Sequence, residues 1–135
     1  MIENRKSDCP INYGLEFFGD RWSLLIIRDI MFHGKRGYGD FLSSDENIST
    51  NILANRLKML QELDLIKKSP DPSHGSKSIY SLTAKGKDLL PVLLEITAWS
   101  AKYDHGLNVD QAFIKRYRKD RSTVLREVME RHKRA

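Results

Sequence analysis

Apolar side chains along this chain fall first at helical spacing. Pro10 suits the opening position of a helix, with Asp8 or Cys9 as its cap; Ile11, Leu15 and Phe18 follow, and Gly19 closes the segment. Asp20 can cap a second helix, in which Trp22, Leu25, Ile26, Asp29 and Ile30 line one side. The glycines of "HGKRGYG" read as a loop. A short third helix, roughly "YGDFLSS", carries Phe41 and Leu42. "SSDEN" makes a polar turn, and Ser49 can cap a fourth helix running through Leu63.

The period then changes. "LIKKS" and "SIYSL" are short strand-like runs separated by "PDPSHGSK", whose two prolines and glycine predict a loop too long for a tight turn. Thr83 caps a long helix bearing Leu89, Val92, Leu93, Ile96, Trp99 and Tyr103. Pro91 deletes one of its backbone hydrogen bonds, so a kink or a restart is expected there. Beyond Gly106 a last amphipathic helix, from about Asp110 to His132, shows Phe113, Tyr117, Val124 and Val128. The predicted class is mainly α with one small two-stranded β-hairpin, an α+β chain.

Helix, short helix, polar turn, helix, hairpin is the order of a winged helix-turn-helix. The turn holds two helices at a steep angle, so the second protrudes and can enter the major groove of double-stranded DNA. On the fourth helix Leu57 and Leu60 share the face of Leu53, each within about 40° of it at 100° per residue. Asn51, Asn55, Lys58 and Glu62 lie near the opposite side, flanked by Thr50 and Ala54. Asn pairs in bidentate fashion with adenine, Thr meets a thymine methyl, and Lys reaches guanine or phosphate. The free N–H groups from Ser49 to Asn51 favour a phosphate. Lys35 and Arg36, before the short helix, and Lys67, Lys68, His74 and Lys77, in or beside the wing, are candidate backbone contacts. Lys67 and Lys68 are adjacent in a strand and cannot face the same way. An ordinary solvated helix surface is the competing reading of the same residues; a winged-helix module that docks a protein without reading DNA is the competing function.

The 135 residues suit one domain, and the net charge of +5 is unevenly spread. Residues 106–135 hold 9 Lys/Arg against 4 Asp/Glu, whereas residues 1–105 balance at 14 each. The excess is compatible with an anionic partner. No apolar run approaches the ~18 residues of a membrane span, and "MIENRKSDCP" lacks the apolar segment of a secretory signal, so a soluble cytoplasmic protein is expected. One cysteine cannot form an internal disulfide. His33, His74, His105 and His132 show no metal-ligand spacing with it, and there is neither a P-loop nor a GxGxxG. No enzyme, metal or cofactor is expected.

The segments "CPINYGLEFFGDRWSLLIIRDI", "KRGYGDF", "IST...L..RLKMLQELDLI" and "YSLTAKGKDLLPVL...W" resemble the HxlR family of bacterial transcription regulators, relatives of the MarR group. The likeness runs from about Cys9 to Tyr103. It implies a homodimer in which N- and C-terminal helices flank the winged domain and build the interface, with Ile11, Leu15, Phe18, Val92, Ile96, Trp99 and Tyr103 as candidates to pack between subunits or to fill the monomer core. It also places the recognition helix at Ser49 to Leu63 and matches the family's Arg-Leu pair to Arg56 and Leu57. Residues 1–105 then form the winged domain with its N-terminal helix and long dimerisation helix, and residues 106–135 a basic helical extension for which the resemblance supplies no role. Asp64 stands where the family usually has Gly.

Cys9 sits where many family members keep a cysteine, several of which sense oxidants or electrophiles. The positive end of the helix opened by Pro10, with Arg5 and Lys6 near, favours a thiolate; Asp8 opposes it. Redox sensing and a plain small residue at a helix start both stand open. Without a second cysteine, oxidation must end in an intersubunit disulfide, a mixed disulfide or an adduct.

Overall fold

In the computed structural model, which describes residues 5–133, these residues form eight helices and one β-hairpin. They fall into two compact units, Met1–Gly86 and Lys87–Ala135.

In the first unit α1, Pro10–Phe18, begins after Cys9 and closes on Gly19, whose N–H donates to the Leu15 carbonyl. Asp20 caps α2, Ser23–Phe32: one carboxylate oxygen accepts from the N–H groups of Trp22 and Ser23, the other from the Ser23 hydroxyl. The loop before α3, Tyr38–Leu42, is held by Asp40, which accepts from the N–H groups of Arg36 and Gly37. Ser49 caps α4, Thr50–Glu62, by accepting from Ile52 N–H.

α4 ends in a Schellman arrangement. Leu65 N–H returns to the Leu60 carbonyl, Asp64 N–H to Gln61, and Asp64 adopts the left-handed φ of 60°. That conformation is why glycine is favoured at this position, and why Asp, which tolerates it, can replace glycine.

The hairpin departs from expectation. β1 is Ile66–Asp71 and β2 His74–Leu82, paired antiparallel from Ile66↔Leu82 to Pro70↔Ser78, with a bulge before Asp71↔His74. The supposed long loop is therefore mostly strand, and the turn is Pro72 and Ser73 alone. Two local causes account for this. Asp71 Oδ1 accepts from both the N–H and the hydroxyl of Ser73, an Asx turn, and Pro70 is tolerated because β1 is an edge strand. On the other edge, Gly37 bridges Ile79 and Tyr80 N–H donates to the Arg36 carbonyl at 2.8 Å.

Phe17, Ile26, Ile27, Met31, Phe41, Leu53, Leu57, Leu60, Leu65 and Tyr80 are among the buried residues of this unit. The unit closes at α5, Ala84–Lys87, capped by Thr83, whose hydroxyl accepts from Gly86 N–H and donates to the Asp64 carbonyl. A Cβ at Gly86 would stand 2.1 Å from the Leu65 carbonyl oxygen, so this crossing requires glycine.

In the second unit Pro91 restarts the chain as α6, Leu90–Tyr103. Leu90, Leu93, Leu94, Ala98 and Ala101 are buried; Ile96, Trp99 and Tyr103 are exposed and Val92 half-buried. The expected single terminal helix is in fact two, α7, Gln111–Lys119, and α8, Arg121–Lys133. Asp120 breaks it, leaving helical geometry and accepting from Thr123 N–H. Both helices pack on α6. Tyr117, 1% exposed, donates to Glu95 at 2.7 Å, and Arg121 binds the same carboxylate oxygen. Burial, with the Glu95 carboxylate beside it, pushes the Tyr117 hydroxyl up to about 12.

Candidate nucleic-acid interface

The leucine stripe of α4 is driven inward, Leu53, Leu57 and Leu60 being at most 2% exposed. Its other side is solvent-facing: Thr50, Asn51, Ala54, Asn55 and Lys58 are exposed, as is the capping Ser49. The two amides and the lysine therefore stand together on an outward helix face. Tyr38 pins the start of this helix, donating to the Thr50 carbonyl at 2.8 Å.

Two of the expected contacts are committed within the protein. Arg56 is half-buried, with Nε 3.1 Å from Asp20 Oδ2, and so ties α4 to the start of α2. The approach is an ion pair without an aligned hydrogen bond at Nε. Lys35 donates to the Ser44 hydroxyl at 2.7 Å and lies 3.7 Å from Asp29. Arg36, Lys68 and Lys77 instead line a cleft of about 870 Å³ between the α3 loop and the wing, together with Tyr38 and Tyr80. Lys67 is exposed on the other face of β1; His74, at the wing tip, accepts or donates with Ser76.

Sequence reasoning missed the charged cluster beneath the helix-turn-helix. Asp29, 3% exposed, accepts from Arg28 and Ser44 and meets His33 Nδ1 at 3.1 Å. Arg28 also grips Glu46 with two hydrogen bonds of 3.0 and 2.8 Å. This guanidinium holds the Glu46 carboxyl down at about 2. Ser44 and Glu46 belong to the turn joining α3 and α4, so the cluster fixes that turn to α2. The available signal was an aspartate placed among isoleucines on the inner side of α2. Also missed was Ile52, 37% exposed in the first turns of α4.

Cys9 is exposed, and Arg5 is paired with Asp8 at 3.0 Å. Among the candidate interface residues Ile11 and Leu15 are exposed on α1, at 73% and 54%, and Phe18 is half-buried. On α6 Trp99 and Tyr103 are 68% and 67% exposed, their rings 5.3 Å apart. Among the described residues no helix is long and apolar enough to cross a membrane.

Residues 17–107 match the family described as HxlR-like helix-turn-helix. An uncharacterized HTH-type transcriptional regulator of Mycobacterium tuberculosis is 36% identical over 102 residues, which are 76% of this chain but only 63% of that protein. The crystal structure of PA1607, a putative transcription factor, superposes with a TM-score of 0.69 at 36% identity, over 79% of this chain and 73% of that one. Reduced YodB, a transcriptional regulator of Bacillus subtilis, does so with a TM-score of 0.59 at 30% identity, over 72% and 95%. The outward α4, the paired wing and this match over most of the chain agree: it belongs to the HxlR-like helix-turn-helix family of transcriptional regulators.

Proposed function

We propose that this chain acts as a homodimer that binds a pseudo-palindromic operator in double-stranded DNA and reads its sequence with α4. The observation that carries the reading is the outward face of α4, where Asn51, Asn55 and Lys58 are exposed above fully buried leucines. Two such helices, related by a two-fold axis, enter successive major grooves ~34 Å apart. Arg36, Lys68 and Lys77 in the wing cleft, with Lys67 and His74, set the register on phosphates. The exposed apolar residues Ile11, Leu15, Ile96, Trp99 and Tyr103 supply the subunit contact, because isolated apolar area of this kind gains most by burial against a second copy. Residues 106–135 form the basic extension of the 1–105 winged domain.

Cys9 is the receiver for an oxidant or electrophile. It is an exposed thiol at the start of α1, next to Ile11 and Leu15, so its modification acts on the proposed subunit contact. YodB, similar to this chain, has been solved quinone-bound and diamide-treated.

A gel shift and footprint on the DNA flanking the gene test the reading. Wild type is expected to protect two half-sites one turn apart. Asn51→Ala with Asn55→Ala is expected to abolish specificity and leave folding intact. Association that depends on salt and ignores sequence would reduce the protein to a polyanion binder and overturn the reading.

A further inference from the structure

Ile52 is only partly taken into the core that the rest of α4 builds. Leu53, Leu57 and Leu60 are almost wholly buried, whereas Ile52 keeps 37% of its surface in water, within the turn capped by Ser49. A β-branched side chain in the first turns of an exposed helix gains nothing in helix propensity. Asn55 follows it by three positions and Arg56 by four, so both are its neighbours on the helix surface. Arg56 pairs with Asp20 through Nε and makes only a long hydrogen bond, 3.4 Å, to Asn55 Oδ1, a bond that Asn55 gives up on meeting a base; the exposed Asn55 amide and the methyls of Ile52 lie side by side.

The apolar group that the major groove presents is the thymine 5-methyl, and the base that Asn reads in bidentate fashion is adenine. Arg56, the arginine of α4, is turned to Asp20, and Lys58, the other side chain that could reach guanine, lies six residues and nearly two turns from Ile52, where it is left to a phosphate. We propose that α4 is built for A·T pairs: Ile52 packs against a thymine methyl beside an adenine held by Asn51 or Asn55. This rests on the DNA reading above and adds the base composition of the half-site.

The full-length protein selects its site from randomised duplexes, and the selected duplex is then remade with uracil for thymine, which removes only the 5-methyl. Wild type is expected to select A·T steps and to lose about fourfold in affinity for each contacted methyl removed, the value of one buried methylene-sized group. Ile52→Ala is expected to bind the thymine duplex that much more weakly and to be indifferent to uracil. A wild type indifferent to uracil, a G·C core, or an Ile52→Ala variant that loses as much as wild type on the swap would each overturn the proposal while leaving sequence-specific binding in place. Selection of no site at all would overturn the DNA reading, and this inference with it. The wild-type uracil arm needs no variant to fold.

Discussion

The Asp29 carboxylate accepts a hydrogen bond from the Ser44 hydroxyl at 2.5 Å, joining the buried side of α2 to the turn that precedes α4. It simultaneously faces Arg28, His33 and Lys35, so one acid is shared by three basic groups and a hydroxyl. Asp29→Ala is expected to destabilise the protein by about 3 kcal/mol, because it leaves the buried Ser44 hydroxyl without its acceptor and removes the anion that pairs with Lys35 and His33, while Arg28 keeps only Glu46. Urea unfolding reads this as a lower midpoint at unchanged slope; a wild-type midpoint would mean the cluster contributes nothing.

Acid should loosen the same turn through Glu46. Its carboxyl lies below the ordinary 4.5, at about 2, because Arg28 hydrogen-bonds the charged form. A depressed carboxyl contributes stability that is fully present above 4.5 and lost as pH falls toward 2. Stability measured across that window is expected to fall less steeply in Glu46→Gln than in wild type. Parallel curves would show that the Arg28 pair makes no net contribution.

Trp99 is a large apolar residue with little to cover it within its own unit. Trp99→Glu is expected to convert a sedimenting dimer into a monomer with an unchanged circular dichroism spectrum. A variant that remains dimeric would move the subunit contact away from α6.

Cys9→Ser is expected to bind operator DNA as wild type does and to lose the response to quinone, aldehyde or hypochlorite. A response retained in that variant, followed by release of DNA in a gel shift, would remove Cys9 as the receiver.

Much of this architecture was legible because its signals are local. Asp20 and Ser49 cap the helices read for them, and Thr83 caps α5, the short piece before the restart at Pro91, since a short polar side chain satisfies N–H groups two or three residues on. The wing turn was equally local but was outweighed by two prolines, one of which an edge strand accepts. The break at Asp120 was hidden because Phe113, Tyr117, Val124 and Val128 keep one helical phase across it. The fates of Lys35 and Arg56 were not legible at all. A cation in sequence names no partner, and theirs, Asp29, Ser44 and Asp20, come from other elements. Ile52 went unread because an isoleucine beside a leucine stripe looks like more core until its exposure is known.

The regular ladder stops at Pro70↔Ser78, and Gly75, Ser76 and Lys77 fall in the register shift before His74. Alternation therefore fixes the opposite sides on which Lys67 and Lys68 stand, whereas the direction of Lys77 is set by the bulge. An insertion among residues 75–77 would extend the tip of the wing and leave both β1 lysines where they are.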